Sequence, residues 1–463
     1  MRPITPQDRD ILEPLLRQAH RHNCNYSFAN LCSWQRLFAS EYEVVDGALV
    51  VRFNLFGRRA YLLAADPTEH PLTSVIDWMK TDAQASDSSL MIIAVEEDIA
   101  QRLVSLYGEH VAVTAIRDRY DYIYRRDDLM SLAGKDYHGK RNHANKFRSL
   151  YPDYRYQPLD PSLFDQCREL TLRWDSQHSE DSESVEAERQ SINFVFDHWE
   201  QIGTIGGALF VDDRMVAFTY GGPISPTLFD TCVEKADIDY EGSYAVINQE
   251  FARHLPPQYT HINREEDMGI PGLRKAKLSY HPEQLLPCHS VVFQPQYRLT
   301  ACDKERDKQE VIEWMSRQYG FDPHTVDQWI EHLHWNWPLS VKAVDPEGNT
   351  LGYLNMSDYR IEEETEQIVK EKPQLLSQLN RLNYTAVFSF IVAPHCRGTR
   401  LNHAMLMHIM PQLQQYDFLF IPVMHHLRTH RYWQRWGTRE FYRDAECVYY
   451  MLPFSEAAKK IVL

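Results

Sequence analysis

The feature that most constrains the fold is a hairpin pattern that recurs three times along the chain. Each copy places turn residues after an apolar run, at Val45-Asp46-Gly47, Val211-Asp212-Asp213 and Val344-Asp345-Pro346. Apolar runs on either side of Asp, Gly or Pro are typical of a β-hairpin. After each hairpin the pattern predicts a strand, a helix and a strand. Recurrence at domain-sized intervals predicts three related α/β units rather than one large sheet.

Composition restricts the partners of the chain. It has 463 residues, 43% of them hydrophobic, and a net charge of −16. Such an acidic chain is unsuited to wrapping nucleic acid or coating an acidic membrane, so any anion site must be a local basic patch. No run of about 18 apolar residues predicts a membrane span, and the N-terminus lacks the apolar core of a signal peptide. We therefore expect a cytoplasmic protein with no membrane span and no DNA partner.

Cysteine and histidine spacing bears on metal binding. The eight cysteines are scattered, and none forms a C-x-x-C pair. This pattern argues against a zinc ribbon and is typical of free thiols in a reducing cytoplasm. Histidine is plentiful, but no H-E-x-x-H spacing occurs, and ordinary surface histidines explain His425, His426 and His430 better than a metal does. The sequence therefore predicts no metal site.

A first basic segment, residues 134–148, departs from the acidic background. Ala144, Phe147 and Tyr151 form an apolar stripe, which predicts a short amphipathic helix with a basic outer face. Two interpretations stand side by side, a solvated surface or a face that binds an anion. The candidate anion-binding residues of this segment are Lys135, Lys140, Arg141, Asn142 and Lys146.

A second basic segment, residues 263–280, combines a strand end, an acidic turn, a Gly-Ile-Pro-Gly break and the start of a helix. Its cations fall in the predicted first helical turn, where the macrodipole favours acids. A broken local rule is typical of a functional site, and helix amides beside cations suit a phosphate or carboxylate. The alternative is a solvated turn in which the acids at 265–267 pair with the cations. The candidate binding residues are Asn263, Arg274, Lys275 and Lys277.

Four motifs carry a resemblance to a known family. They are Gly139 to Phe147 (GKRNHANKF), Glu234 to Asp237 (EKAD), Tyr240 to Ala245 (YEGSYA) and Asn263 to Lys277 (NREEDMGIPGLRKAK). In this order, residues 1–295 resemble the bacterial family related to the C-terminal domain of phosphatidylglycerol lysyltransferase. That family pairs two GNAT-like units, as the Fem-type peptidoglycan aminoacyltransferases do. The resemblance implies an α/β (α+β) fold, with a structural unit at 1–128 and a donor-binding unit at 129–295.

Residues 296–463 resemble a single GNAT domain. The match is the turn Val392 to Asn402, where acetyltransferases carry R-G-x-G-x-G/A and use its amides to hold the coenzyme A pyrophosphate. Arg397 and Gly398 fit this pattern, and they are candidate coenzyme A contacts together with Arg400. Arg400 could add charge, but its bulk opposes a close approach to the backbone.

The resemblance implies an acyl- or aminoacyltransferase that moves its group to an amine or hydroxyl. The phosphate-bearing donor would be acyl-CoA or the acceptor end of an aminoacyl-tRNA, with no tightly bound cofactor, and the acceptor a small molecule, a lipid or a peptide. The two basic segments would converge on the donor's phosphates, and Glu265, Asp267 or Glu241 would take the acceptor's proton. The alternative is a non-catalytic binding protein that keeps the fold and an anion pocket.

Overall fold

The computed structural model describes residues 1–55, 57–177, 182–427 and 429–461. The chain divides into two compact units, Met1–Phe293 and Gln294–Leu463, which we call unit 1 and unit 2. Unit 1 contains two seven-stranded sheets, sheets 1 and 2, and unit 2 contains a third, sheet 3. The architecture is mixed α/β with three sheets, as the recurring hairpins predict.

The strands of unit 1 are β1 (Arg2–Pro3), β2 (Glu41–Val45), β3 (Ala48–Leu55), β4 (Arg58–Ala64), β5 (Met91–Val95), β6 (Val111–Ala115), β7 (Asp121–Arg125), β8 (Arg155–Pro158), β9 (Ile205–Val211), β10 (Arg214–Pro223), β11 (Leu228–Ala236), β12 (His261–Asn263), β13 (Gln284–Leu286) and β14 (His289–Phe293). Those of unit 2 are β15 (Arg298–Ala301), β16 (Val341–Val344), β17 (Thr350–Ser357), β18 (Tyr384–Val392), β19 (Phe418–Met424), β20 (Arg439–Arg443) and β21 (Cys447–Pro453).

The α-helices of unit 1 are α1 (Arg9–Gln18), α2 (Phe28–Ser33), α3 (Gln35–Phe38), α4 (Leu72–Gln84), α5 (Glu97–Tyr107), α6 (Arg126–Ser131), α7 (His138–Leu150), α8 (Phe164–Gln177), α9 (Ser182–Asp197), α10 (Trp199–Ile202), α11 (Ser243–His254) and α12 (Pro271–Leu278). Those of unit 2 are α13 (Lys304–Tyr319), α14 (Pro323–His332), α15 (Ile361–Glu364), α16 (Gln367–Glu371), α17 (Pro373–Leu379), α18 (Leu401–Leu413), α19 (His430–Arg435) and α20 (Glu456–Lys459).

All three sheets share one plan. The strand order is β1-β2-β3-β4-β5-β14-β6 in sheet 1, β13-β7-β12-β11-β10-β9-β8 in sheet 2 and β15-β16-β17-β18-β19-β21-β20 in sheet 3. Each contains one parallel pair, which is β4 with β5, β11 with β12 or β18 with β19. Parallel neighbours need a crossover connection, and α4, α11 and α18 provide it.

Sheets 1 and 2 exchange a strand. In sheet 3 the strand beside β19 is β21, which follows it in the chain, whereas the strand beside β12 in sheet 2 is β7, which precedes the rest of that sheet. The strand beside β5 in sheet 1 is β14, which follows all of sheet 2. The predicted boundary at 128/129 thus falls after a strand of sheet 2, and β14 returns to sheet 1 before residue 295.

The three predicted hairpins are confirmed. They are β2–β3, β9–β10 and β16–β17, each antiparallel. The first turns at Asp46 and Gly47, with φ of 48° and 85°. Positive φ at both positions is the type I′ geometry that matches the twist of the strands. Glycine suits position 47 further, because an added Cβ would lie 3.3 Å from the ring of His70.

The amphipathic helix predicted in the first basic segment is α7. Ala144 and Phe147 of this helix are buried in the core of sheet 2, so its polar residues face outward. The helix packs against α11, the crossover of the parallel pair. The fold therefore places the first basic segment beside the point where β11 and β12 meet.

Candidate functional site

The site lies where the parallel strands of sheet 2 separate. β11 and β12 pair as far as Asp230 opposite Asn263. Beyond that point β11 continues to Ala236, whereas the chain after β12 leaves the sheet through a turn. Glu265 in this turn has a φ of 54°, a left-handed conformation that is uncommon for a residue other than glycine. The separation leaves room for charged side chains from both segments.

Two cations, one from each basic segment, meet at one aromatic ring. Lys140 Nζ lies 4.1 Å from the ring centroid of Tyr280, and the central guanidinium carbon of Arg264 lies 4.9 Å from the same centroid. Burial and the nearby charge of Arg264 lower the pKa of Lys140 to about 8. The two basic segments therefore meet at Tyr280 through Lys140 and Arg264. The predicted convergence was of the clusters around Lys140-Arg141 and Arg274-Lys277, and Arg264 was not among those candidate residues.

Arg264 has an incomplete set of hydrogen bonds. Its Nη2 donates to Glu234 at 2.9 Å, and both side chains are largely buried. Burial opposes its charge, but Glu234 raises the pKa of Arg264 above its ordinary value. Its Nη1 is buried and has no hydrogen-bond partner among the described residues. An unpartnered buried guanidinium nitrogen beside a second cation is a feature that a bound anion would satisfy.

Lys277 holds the turn in place. Its Nζ donates to the carbonyl oxygen of Arg264 at 2.6 Å and to that of Glu266. Burial lowers the pKa of Lys277, and the charge of Glu265 opposes that shift. Two of its three donors are therefore used on main-chain carbonyls. We infer that Lys277 positions Arg264 rather than offering a free charge to a ligand.

Helix α12 departs from the sequence prediction. It spans only eight residues, so Lys275 and Lys277 lie in its last turn, where the macrodipole favours cations. The prediction that these cations crowd the first turn was wrong because the apolar pattern runs on to Tyr280, past the end of the helix. Arg274 donates to Asp267 at 2.7 and 2.9 Å and to Asp118 at 2.7 Å. Its charge is thus already paired.

Asp267 is a structural anchor. It is fully buried and accepts hydrogen bonds from Arg274, Arg117 at 3.1 Å and the Tyr122 hydroxyl at 2.6 Å. Burial acts to raise its pKa, but the bonds from Arg274 and Tyr122 outweigh burial and hold the pKa of Asp267 well below its usual range. A carboxylate so strongly stabilised in its charged form is a weak proton acceptor.

Glu265 belongs to a separate group of buried and half-buried carboxyls and thiols, which we call the acidic cluster: Cys24, Asp121, Asp230, Cys232, Glu265 and Glu266. Burial and the charge of Glu266 raise the pKa of Asp121 to about 7. Burial also raises the pKa of Asp230 and of Glu265, and neighbouring carboxylates add to both shifts. The sequence did not predict this cluster, because its members come from four distant segments of the chain.

The other candidate residues of the first basic segment face the surface or the backbone. Lys146 pairs with Glu241 at 2.6 Å, and both side chains are about half exposed. Arg141 donates to the carbonyl oxygens of residues 132 and 134. Lys135 is exposed, and Asn142 Nδ2 lies 3.4 Å from a ring nitrogen of His138. Within this segment, Lys140 is the cation that reaches Tyr280.

Two candidate residues of the second basic segment also lie apart from Tyr280. Asn263 is fully buried and donates to Asp121 at 2.7 Å, inside the protein. Lys275 is exposed and lines a shallow surface depression with Gly269, Pro271 and Leu278. The two basic segments thus meet through a few side chains and not along their length.

Sequence reasoning missed three residues that the structure brings to this point, namely Glu234, Arg264 and Tyr280. The first two stand within the motifs quoted above, but neither was named a candidate. The available signal was a charged residue within β11 or directly after β12. Lys235, the next residue on β11, is likewise buried, with Nζ 2.7 Å from Glu188 and 3.3 Å from the ring centroid of Trp174.

In unit 2 the predicted coenzyme A turn precedes α18. Gly398 has a φ of 77°, as a tight turn requires. Arg397 donates to Gln318 at 2.8 Å, and the main-chain amide of Arg400 donates to the Gln294 side chain at 2.7 Å. One amide that a pyrophosphate would bind is therefore already engaged. Coenzyme A binding by unit 2 stays a prediction.

A family comparison identifies the group to which the chain is related. Residues 16–291, more than half of the chain, match the family described as "Phosphatidylglycerol lysyltransferase, C-terminal". The chain belongs to this family. The family description names a transferase, so membership classes the chain with the acyl- and aminoacyltransferases. The matched residues lie within unit 1 and include the whole of sheet 2.

Individual proteins match this chain to different extents. A conserved protein of unknown function from Bacteroides thetaiotaomicron VPI-5482 is 38% identical, with a TM-score of 0.61 over 63% of this chain and 99% of that protein. Uncharacterized protein MYCGA3080 of Mycoplasmoides gallisepticum is 25% identical over 233 residues, which are 47% of this chain and 74% of its own. L-PGS from Bacillus licheniformis is 13% identical, with a TM-score of 0.45 over 62% of this chain and 92% of that one.

Among the described residues of the present chain, no helix combines the length and the apolar character needed to cross a membrane.

Proposed function

We propose that unit 1 is an aminoacyltransferase whose donor binds at the Lys140–Arg264 pair. The observation that carries the proposal is the unpartnered Nη1 of Arg264 beside Lys140, at the point where the parallel strands separate. The family description names a lysyltransferase, which supports an aminoacyl group rather than a simple acyl group. We therefore propose aminoacyl-tRNA, in preference to acyl-CoA, as the donor. We also propose that the reaction takes place in the cytoplasm.

In the proposed reaction the acceptor's amine or hydroxyl attacks the ester carbonyl carbon of the donor. A new C–N or C–O bond forms, the carbonyl oxygen becomes an oxyanion, and the ester C–O bond then breaks. The acceptor loses one proton and the leaving ribose oxygen gains one. Lys140 and Arg264 would stabilise the donor's phosphate or the developing oxyanion. Removal of one such donor typically lowers the rate by about 10²- to 10³-fold.

Glu234 is the proton acceptor that we propose. It is paired with Arg264, and its charge reaches Lys140 as well, so it lies beside both cations. Of the three acceptors expected from the sequence, Asp267 is held in its charged form, Glu241 lies in a surface ion pair, and Glu265 faces the acidic cluster. Glu234 is thus a carboxylate that interacts with both cations of the proposed donor site.

The test is transfer of a labelled amino acid from a mixed aminoacyl-tRNA pool to amines and to hydroxyl lipids, with phosphatidylglycerol vesicles first. Acetyl transfer from acetyl-CoA is measured in parallel. We expect transfer from aminoacyl-tRNA, lowered by about 100-fold in Lys140→Ala. Lys80→Ala is the matched control, because Lys80 Nζ of α4 makes a similar contact, 4.4 Å from the ring centroid of Tyr107 of α5.

The outcomes separate the alternatives. Equal activity of Lys140→Ala and the wild type would contradict the proposed site. Transfer from acetyl-CoA alone would identify acyl-CoA, and not aminoacyl-tRNA, as the donor. Tight binding of aminoacyl-tRNA without transfer to any acceptor would favour the non-catalytic binding protein.

A further inference from the structure

One part of the acidic cluster has the geometry of a metal site. Asp230 and Cys232 lie two residues apart on β11, where the pairing with β10 has a β-bulge. Glu265 follows β12, the parallel neighbour of β11. A carboxylate oxygen of Asp230, a carboxylate oxygen of Glu265 and Sγ of Cys232 all lie within 4.8 Å of one another. We call these three residues the Asp230 trio.

A second observation points to a ligand at this trio. Asp230 is fully buried, and its Oδ1 has no hydrogen-bond partner among the described residues. Its Oδ2 accepts only the weak bond from Cys232 Sγ, at 3.4 Å. A buried carboxylate oxygen without a partner is costly, because it has lost water and gained nothing in return. A cation bound by the trio would supply the missing interaction.

The neighbouring trio Cys24, Asp121 and Glu266 provides the contrast. Asp121 Oδ2 accepts from the amide of Cys24 and from Asn263 Nδ2, each at 2.7 Å. Glu266 accepts from Arg119 at 2.7 Å. The carboxylates of this second group are thus satisfied within the protein, although its ligand atoms are equally close together. It therefore serves as an internal control.

We propose that the Asp230 trio binds a divalent zinc-type cation. One thiolate with two carboxylates suits Zn²⁺, whereas Mg²⁺ and Ca²⁺ take oxygen ligands alone. Three protein ligands leave the fourth position of a tetrahedral site to water. The Cys232 thiol binds as the thiolate, so its proton is released to solvent when the metal binds. Cys232 and Glu265 are only half-buried, which gives the ion a route from solvent.

The site has an outer partner that orients one ligand. Asn30 Nδ2 of α2 donates to Glu265 Oε1 at 2.9 Å. Metal-binding carboxylates are held in this way by surrounding hydrogen bonds, whose loss lowers metal affinity by about 10- to 100-fold. The ion would thus connect α2, β11 and the turn after β12. No local sequence pattern predicts this site, because Cys232 and Glu265 lie in different segments.

The experiment titrates the full-length protein, first stripped with a chelator, with Zn²⁺ against a competing zinc dye. Native mass spectrometry gives the stoichiometry, and Co²⁺ substitution reports a thiolate–metal absorption band. We expect one tightly bound Zn²⁺ per chain, weakened by more than about 100-fold in Asp230→Asn and Cys232→Ala, and by about 10- to 100-fold in Asn30→Ala. Cys24→Ser, the matched thiol variant of the satisfied trio, should bind as the wild type does.

Circular dichroism confirms that each variant is folded before its affinity is compared. If a variant fails to fold, alkylation of Cys232 in the wild type decides the matter, because bound Zn²⁺ should protect that thiol, whereas the seven other cysteines are buried with or without the metal. Absence of one-to-one binding to the folded wild type would overturn the proposal. So would equal affinity in Cys232→Ala, or loss of binding in Cys24→Ser instead.

Discussion

The parallel pairs of sheets 2 and 3 have the same register but opposite chemistry. The last paired residues are Asp230 opposite Asn263 in sheet 2 and Ala386 opposite Phe420 in sheet 3. Four residues after Asp230, β11 carries Glu234, and four residues after Ala386, β18 carries Phe390. The residue after Asn263 is Arg264, whereas the residue after Phe420 is an isoleucine. The same frame thus holds an ion pair in one unit and apolar side chains in the other.

The difference shows that a shared strand order does not determine which side chains lie where the parallel strands separate. In sheet 3, Phe390, the counterpart of Glu234, packs against Trp433, with ring centroids 6.3 Å apart. Aromatic packing therefore fills the region beside β18 that an acidic and basic pair occupies beside β11. Strand order depends on the hairpins and crossovers, which both units share. Function must be argued from the side chains at the separation point and not from the fold.

The largest expected effect comes from breaking the ion pair of sheet 2. Arg264→Met should lower the free energy of unfolding of unit 1 by about 3–5 kcal/mol, because it leaves the largely buried Glu234 without its partner. Urea denaturation measures the loss. The double variant Arg264→Met, Glu234→Met should recover much of it. A single-variant cost below about 1 kcal/mol would show that the pair is as weak as a surface contact.

Removal of the buried ammonium that holds the turn should have the next largest effect. Lys277→Met leaves the carbonyl oxygens of Arg264 and Glu266 without a donor. Each buried carbonyl that loses its partner costs about 1–3 kcal/mol. Hydrogen exchange of the amides from residue 264 to 270 should show faster opening of the turn, while β18 and β19 in unit 2 stay unchanged. Unchanged protection of the turn would contradict the role given to Lys277.

The pH dependence of donor binding should follow Lys140. Its pKa is lowered to about 8, so the side chain is charged below that pH and neutral above it. Affinity for a phosphate-bearing donor should therefore fall as the pH rises, by about tenfold between about pH 7 and about pH 9. Lys140→Arg keeps its charge throughout this range, so its affinity should be flat. A wild-type profile without a decline near pH 8 would exclude Lys140 from the donor contact.

The smallest effect is expected at the surface of α7. Lys146 and Glu241 form an ion pair in which both side chains are about half exposed. Such pairs contribute about 0–1 kcal/mol. Lys146→Ala should accordingly change the free energy of unfolding by less than about 1 kcal/mol and the transfer rate by no more than about twofold. A loss of transfer comparable with that of Lys140→Ala would extend the donor site along the helix.

Much of the frame could be predicted from the sequence. Hairpins at Asp46, Asp212 and Asp345 rest on local turn chemistry, and α7 rests on the spacing of Ala144 and Phe147. These signals come from residues close together in the chain, which is why they were readable. The exchange of β7 and β14 between sheets depends on pairing between distant segments, and no local pattern reports it.

The site was predicted less completely, for the same physical reason. The two basic segments were recognised, but Arg274 is held by Asp267 and Lys277 by main-chain carbonyls. Which cation remains available depends on the partners that folding brings to each one. Arg264 and Tyr280 stood within the second basic segment, and only their contact with Lys140 shows that they belong to the site.

The most direct test of the account measures binding of a non-hydrolysable donor mimic. An RNA minihelix bearing an amide-linked amino acid at its acceptor end is titrated into the full-length protein at fixed salt, with fluorescence anisotropy as the readout. The account predicts that Lys140→Ala binds at least about tenfold more weakly than the wild type, and that Lys80→Ala binds within about twofold of it. Equal affinity of Lys140→Ala and the wild type would contradict the claim that the donor binds where β11 and β12 separate.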